Sequence, residues 1–587
     1  MNLINLTING KEVSVPNGTT ILDAAKQANI NIPNLCHLNM NEIHFINQCA
    51  SCRVCMVSDG KKLVPACSTN VKEGMVIDTN TPEALKFRRN VVELLLSDHP
   101  QDCLACSKSG NCELQNIAAK LGIRKIRFNG ERSISPIDTS SKSIVKDHDK
   151  CILCRRCETM CNEFQTVGVF SGINRGFHTE VGTFFNLNFA NSECTYCGQC
   201  VSVCPTGALM EKDNTNDVWN ALAQKEKPVM VQIAPSVRVG ISEEFGLSPG
   251  SISTGKLVSA LKLLGFDYIF DTNFAADLTI IEESTEFIGR LQSKQNLPIL
   301  TSCCPAWVNF VETQYPDLIP YLSTCRSPQG MFSPIARYYF ADKVLNKKPD
   351  EVIIVSVMPC VAKKYEISRK ELGQDGILDT DISITVRELA RMIKEAGINL
   401  NNLDESEFDS PLGYSTGAAD IFGVTGGVLE AALRTSYELV TNETLENIDF
   451  YDVRGLDGIK EASIDINGIT INVVAASGLG NARTLMDDLR AGKSKYHIIE
   501  IMACPGGCVA GGGQPFHGGD YSKIKARGTG LYRIDENKSI RKSHENPDIQ
   551  KLYADFLGEP NGHNAHKYLH THYFDRSNVY CNNDDNN

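Results

Sequence analysis

Most of the 23 cysteines fall in close-set groups, and cysteines two residues apart on a tight loop can offer thiolates to a single metal centre. Cys151, Cys154, Cys157 and Cys161 stand at C-x2-C-x2-C-x3-C spacing; Cys194, Cys197, Cys200 and Cys204 repeat it, followed by Pro205. An earlier group is Cys36, Cys52, Cys55 and Cys67, with Cys49 as a rival because Cys49 and Cys52 also make a C-x2-C. His99, Cys103, Cys106 and Cys112 form a mixed donor set that suits zinc or an iron–sulfur cluster. Cys304, Cys360, Cys504 and Cys508 sit in three separated strings. A disulfide framework is the competing reading, but it belongs to small secreted domains. This chain has 587 residues and begins MNLINLTINGKEVSVP, without a basic or apolar leader. The expectation is a cytoplasmic metalloprotein of a reducing compartment.

The repeated spacing is that of bacterial two-cluster ferredoxins, where the fourth cysteine of each run ligates the other cluster. Cys151, Cys154, Cys157 and Cys204 then hold one [4Fe–4S] cluster, and Cys194, Cys197, Cys200 and Cys161 the other. Upstream, residues 3–15 alternate around Asn9-Gly10, a hairpin signal, and Thr19-Thr20 caps a helical run. A hairpin, a helix and then Cys36, Cys52, Cys55 and Cys67 resemble a plant-type [2Fe–2S] ferredoxin; a zinc ribbon would want two matched pairs. The His99, Cys103, Cys106 and Cys112 group resembles a module of respiratory NADH dehydrogenases and [FeFe]-hydrogenases in which a histidine replaces one cysteine of a [4Fe–4S] cluster. A neutral imidazole in place of a thiolate shifts that cluster's potential. The first ~210 residues thus read as four clusters in series: one [2Fe–2S] and three accessory [4Fe–4S]. Clusters carry single electrons and make no bonds themselves, so the remaining chain must supply a chemical site.

From about residue 225, apolar β-runs alternate with helical stretches, an α/β pattern. Four runs end in small residues, proline or cysteine: before Ala234-Pro235-Ser236, before Cys303-Cys304-Pro305, before Met358-Pro359-Cys360, and before Met502-Ala503-Cys504. Sites in α/β sheets form at the carboxyl ends of strands, so three distant loops could aim cysteines at one point.

The strings TSCCPAW, MPCVAKK and EIMACPGGCVAGGGQP resemble the signature motifs of [FeFe]-hydrogenases, and FGVTGGVLEAALR is similar to a fourth family string. The resemblance spans about residues 1–573. It implies that Cys304, Cys360, Cys504 and Cys508 hold the [4Fe–4S] part of a six-iron H-cluster, with Cys508 bridging to a diiron unit carrying CO, cyanide and a dithiolate. It implies a pocket made by Ala234, Pro235, Ser236, Gln329, Met358, Lys363, Phe422 and Met502. Cys303 would be the proton donor, and Glu283, Ser323, Glu286 and Arg290 the relay to solvent. In isolation Glu286 and Arg290 are a solvated i,i+4 pair, and the methionines and Phe422 are ordinary core. Cys325, in Ser323-Thr-Cys-Arg, is at an unusual place for a thiol and a departure from the family pattern.

The expected organisation is multidomain α+β and α/β: a β-grasp [2Fe–2S] domain (1–79), a [4Fe–4S] module with one histidine and three cysteine ligands (80–122), a two-cluster ferredoxin domain (141–214), a large two-lobed α/β domain (225–520), a small-subunit-like segment (521–574) and a disordered tail (575–587). The formal net charge of −12 argues against nucleic-acid binding, and no apolar run of about 18 residues suggests a membrane span. The resemblance implies H2 and protons as substrates, ferredoxin or a similar small carrier as electron partner, and dedicated maturation proteins. Lys120, Arg124, Lys125, Arg127 and Arg132, or Lys61-Lys62, could dock the carrier. The large iron–sulfur subunit of an NADH dehydrogenase shares the front end but lacks the three strings together. A non-catalytic hydrogenase-like sensor or assembly factor would favour loss of Cys303 or Lys363, and both are present. Gly478, Gly480 and Glu500 give a partial nucleotide fingerprint, weak on its own.

Overall fold

In the computed structural model of the chain, residues 3–47 and 50–577 are described. Cys49, the rival ligand, and Cys581 lie outside them. The strands Leu3–Ile8 and Lys11–Pro16 pair antiparallel around Asn9 and Gly10, whose φ values of 50° and 79° suit a tight hairpin turn. Met75–Ile77 adds to Leu6–Ile8 in parallel. The helix Ile21–Gln27 covers this sheet, and Thr20 accepts from Asp23 N at 3.1 Å to cap it. Two helices, Pro82–Ser97 and Glu113–Lys120, frame the His99 segment.

The ferredoxin repeat is closed by Ile144–Lys146 pairing antiparallel with Leu209–Glu211. This pairing carries Cys204 back to the start of the first cysteine run, the local reason the two runs can exchange ligands.

The large domain has two lobes. One is an all-parallel sheet in the order Tyr268–Asp271, Val229–Ile233, Ile353–Met358, Ile382–Thr385. The other runs Ile299–Leu300, Ile498–Met502, Ile469–Ser477, Ile459–Ile466, parallel except for the last, antiparallel pair. Each lobe contributes two of the four strands whose ends carry the candidate residues. Their sides pack as separate apolar cores, so the strand ends meet at a seam.

Two glycine features make that seam possible. Gly198, at φ 73°, follows Cys197; a Cβ there would strike the Val361 side chain and come within 3.2 Å of Gly512 Cα. Gly507, at φ 97°, would strike Thr425 N at 2.7 Å. The ferredoxin loop and the Cys504–Cys508 loop therefore approach their neighbours backbone to backbone.

Beyond Tyr521 the chain wraps the large domain. Arg527 is buried, bonded to Glu243 and to the carbonyls of Val509 and Pro515. A disordered tail from 575 is corrected at its start: Arg576 pairs with the buried Glu312 at 3.2 Å and with Glu371 at 2.9 Å. Glu312 also takes Arg369, so a second guanidinium completes its pairing. Residues 578–587 lie outside the described residues. Among the described residues, no helix is long and apolar enough to cross a membrane.

Candidate metal centres and active-site pocket

The four N-terminal thiols converge. Cys36 is in hydrogen-bond contact with Cys52 and Cys67, and Cys55 with Cys67; all four are buried. Cys151, Cys154, Cys157 and Cys204 line one cavity of about 450 Å³. Cys161, Cys194, Cys197 and Cys200 line another of about 320 Å³. Each cavity thus receives three cysteines from one run and the fourth from the other. Four sulfurs around one cavity fit a cubane cluster; Lys146, Asp147, His148 and Arg155 also line the first cavity, and Gln165 and Gln199 the second.

In the His99 module, His99 is buried and its Nδ1 has no partner. Burial lowers its pKa, favouring the neutral ring that a metal takes. Cys106 bears electrostatically on Cys112. The donor chemistry fits a cluster.

The sequence suggests four sites in series; the packing brings both outer groups of cysteines against the same inner one. Cys36, Cys52, Cys112 and Cys154 share one apolar cluster with Leu35, Val92 and Ile152. The buried Arg156 donates to His37 O at 3.2 Å and to Glu113 at 2.7 Å, tying residues next to Cys36 and next to Cys112 to the Cys154 loop. Both outer sites therefore border the same inner one. The route then continues inward: Cys157 bears on Cys200, and Cys197 on Cys304 and Cys504. Spacing along the chain could not reveal this, because it is set by packing between domains.

At the seam, Cys504 lies in electrostatic range of Cys360, Cys304 and Cys508, and Cys508 of Cys360 and Cys304. Beside these thiols is a cavity of about 500 Å³ lined by Ala234, Pro235, Ser236, Gln329, Met358, Lys363, Phe422 and Met502, together with Cys303 and Cys508. Every pocket residue expected from the sequence is on its wall. Its polar inventory is small. Ser236 Oγ and Gln329 Oε1 are buried without partners. Lys363 Nζ donates to Ser327 Oγ at 2.7 Å and Glu366 at 2.9 Å, and reaches Cys303 O at 3.4 Å. Buried polar atoms left open in an apolar cavity fit a guest carrying its own acceptors and donors.

Cys303 leads away from the pocket toward Glu283, which bears on its thiol. Glu283 and Glu286 lie on the helix Thr272–Ser293. Ser323 donates to Glu286 at 2.8 Å and is also in hydrogen-bond contact with Glu283. Arg290 holds Glu286 at 2.6 Å and donates to Leu322 O at 2.7 Å. Burial, then the neighbouring Glu286, pushes the Glu283 carboxyl up to about 8.

Sequence reasoning missed Glu366, which joins Lys363 to Gln329 Nε2 at 2.8 Å. The signal was its place three residues after Lys363 on a short helix. Glu500, entertained as a nucleotide ligand, instead accepts from Gly426 N at 2.6 Å and Leu429 N at 2.7 Å, capping a buried helix. Gly478 and Gly480 are filled by the ferredoxin domain: a Cβ would meet the Phe164 ring at 2.9 Å and its carbonyl oxygen at 2.5 Å. Gln165 occupies Leu479 N, so no pyrophosphate has room there.

Family models match along the chain. They are the iron only hydrogenase large subunit, C-terminal domain (227–512), the iron hydrogenase small subunit (521–576), the NADH-ubiquinone oxidoreductase-G iron-sulfur binding region (88–127), a 2Fe-2S iron-sulfur cluster binding domain (2–82) and a 4Fe-4S dicluster domain (137–208). The chain is 53% identical to the NADP-reducing hydrogenase subunit HndD of Solidesulfovibrio fructosivorans, over 98% of this chain and 100% of that one. It is 41% identical to iron hydrogenase 1 of Clostridium pasteurianum, over 97% and 99%. A variant of the apo [FeFe]-hydrogenase HydA1 from Chlamydomonas reinhardtii superposes with a TM-score of 0.56 at 43% identity, over 62% of this chain and 99% of that one.

Proposed function

The chain belongs to the iron-only, or [FeFe], hydrogenase family, a hydrogenase with accessory iron–sulfur domains, and from that premise we propose how its own residues run the reaction. Cys304, Cys360, Cys504 and Cys508 hold the H-cluster, and the adjoining cavity takes its diiron unit. One observation carries this reading: a cavity between two lobes, walled by residues of four strand ends, with four thiols gathered at its side. When bound, the H-cluster supplies the iron and the electrons by which protons and H2 interconvert.

The protein's share is binding, sealing and proton traffic. Lys363, fixed by Ser327 and Glu366, offers a positive charge to an anionic guest. Ser236 and Gln329 offer further polar groups. Met358, Met502 and Phe422 keep water out. Cys303 passes a proton at its Sγ, Glu283 takes it, Ser323 hands it to Glu286, and Arg290 fixes Glu286 near the surface. Arg290 orients rather than carries, because a guanidinium keeps its proton. The test is an infrared spectrum of matured protein under H2 and CO; absence of metal-bound CO and cyanide bands overturns the reading.

Glu283→Gln is expected to lower turnover about 10²-fold, the low end for a lost acid–base group. It also has a stability signature. The folded carboxyl holds its proton up to about 8, whereas its ordinary value is 4.5. Its contribution is therefore complete below about pH 4.5 and lost as pH rises through about 8. The thermal midpoint of the glutamine variant should fall less than the parent's between about pH 5 and about pH 9; parallel falls would show that the group titrates normally.

The accessory domains carry one [2Fe–2S] and three [4Fe–4S] clusters. Electrons exchange with a redox protein at the outer sites, where Lys120, Arg124 and Lys125 are exposed while Arg127 is held by Glu93 at 2.7 Å. Ferredoxin is one such partner. A companion subunit is the other, since a relative matching 98% of this chain is named as a subunit of an NADP-reducing hydrogenase. With Gly478 and Gly480 blocked, the isolated chain should evolve H2 from reduced ferredoxin and give no NADPH-driven activity. NADPH turnover by the chain alone would require a nucleotide site elsewhere.

A further inference from the structure

One mixed donor cluster has no part in the reading so far. Cys325, His570 and Glu286 place a sulfur, a ring nitrogen and a carboxylate oxygen within 4.8 Å of one another. Cys325 is fully buried and His570 nearly so. Their backbones face each other across an antiparallel bridge. The bridge is fixed by Arg326 N donating to Leu569 O at 2.8 Å and Thr571 N to Thr324 O at 2.9 Å. Two extended segments thus set sulfur against imidazole, and the helix Thr272–Ser293 adds Glu286 from a third side. Glu282, one turn earlier, lies 3.1 Å from His570 Nε2 and accepts from Asn561 N and the Tyr553 hydroxyl. Glu282, Glu283 and Glu286 all bear on the Cys325 thiol, and the guanidinium bonded to Glu286 is Arg290.

We propose that Cys325, His570 and Glu286 form a binding site for a thiophilic divalent ion, zinc above all, whose occupancy shuts the proton relay. Thiolate, imidazole and carboxylate are the zinc donor set, and water would complete a tetrahedral shell around the three. Magnesium and calcium, which prefer oxygen alone, are excluded by the sulfur. The Cys325 sulfur already lies 3.9 Å from Glu286 Oε2, near the roughly 3.5 Å separating donors around tetrahedral zinc with bonds of about 2.0–2.3 Å. On binding, a Zn–S bond replaces the S–H bond and the thiol proton leaves to solvent; His570, whose ring nitrogens meet Glu282 at 3.1 Å and Thr324 Oγ1 at 2.8 Å, gives up one of these contacts and offers that nitrogen's lone pair, and no electrons move. The exposed His566, whose ring lies 4.2 Å from that of His570 and tilted 35° to it, marks the way in.

The consequence for turnover rests on the relay reading; the binding itself does not. Glu286 Oε2 is the oxygen that accepts from Ser323. Bonded to zinc, it no longer takes that proton.

The test is zinc added to matured holoenzyme, followed by removal of excess. Zinc K-edge absorption should show a single sulfur at about 2.3 Å with nitrogen or oxygen at about 2.0 Å. H2 turnover should fall at least tenfold. Cys325→Ala and, separately, His570→Gln should lose the sulfur or the tight binding and need at least tenfold more zinc for half-inhibition. Cluster absorption of each variant checks that it has folded. Zinc retained equally by Cys325→Ala, or a shell of several sulfurs, overturns the site. Zinc in the expected shell with turnover unchanged overturns the gate and tells against Glu286 as a relay group, while leaving the binding site standing.

Discussion

Replacing Cys303 with alanine should cut H2 turnover by about 10²–10⁴-fold, the span of a lost acid–base group, while the matured protein keeps its metal-bound CO and cyanide bands. Cys303 is next to Cys304 in sequence and lines the cavity, and the groups that bear on its thiol include Glu283 and Glu500 as well as Cys304 and Cys508. It is the junction between the pocket and the carboxylates that lead outward. Alanine removes the transferable proton and little volume, so the cofactor stays. Serine keeps a proton but at a far higher pKa, and should restore only a small part of the rate. Parent-like turnover in Cys303→Ala would mean that protons reach the pocket by another path.

Lys363→Ala should fail differently. Its ammonium is pinned by Ser327 Oγ at 2.7 Å and Glu366 at 2.9 Å, and Glu366 is itself buried. Removing the lysine leaves that carboxylate without its cation, a loss of about 3–5 kcal/mol for a broken buried pair. It also removes the charge expected to receive an anionic guest. The expected outcome is protein that retains [4Fe–4S] signals but shows CO and cyanide bands reduced at least tenfold after maturation, with a lowered thermal midpoint. Bands of parental intensity would show that Lys363 stabilises its loop and does not hold the cofactor. The contrast between the two variants separates proton transfer from retention of the diiron unit.

Much of this was legible in the sequence, for identifiable reasons. Metal ligation writes itself in spacing: the ligand exchange between the runs ending in Cys161 and Cys204 follows from two copies of one pattern. Strand ends write themselves as apolar runs stopping at Ala234, Cys303, Met358 and Met502, and the pocket is built there. What stayed hidden depends on contacts between segments far apart in the chain. Glu366 reads as an ordinary helical acid until Lys363 and Gln329 fold onto it. The bridge between Cys325 and His570 spans the chain from one subunit-like segment to another. The glycines at 478 and 480 mimic a nucleotide turn, and only Phe164, from a different domain, shows what fills them. Arg576 looks like the start of a polar tail until the buried Glu312 is found to face it.

The shared apolar cluster of Cys36, Cys112 and Cys154 gives the enzyme two front doors and a single corridor. With both outer sites against one inner site, a variant that loses either outer cluster is expected to keep an electron route, whereas one disrupted at the Cys197–Gly198 stretch is expected to lose H2 turnover with every electron donor. Traffic through the whole molecule is then governed where the two lobes and the ferredoxin loop press together, and a carrier arriving at either entrance competes for the same downstream seat.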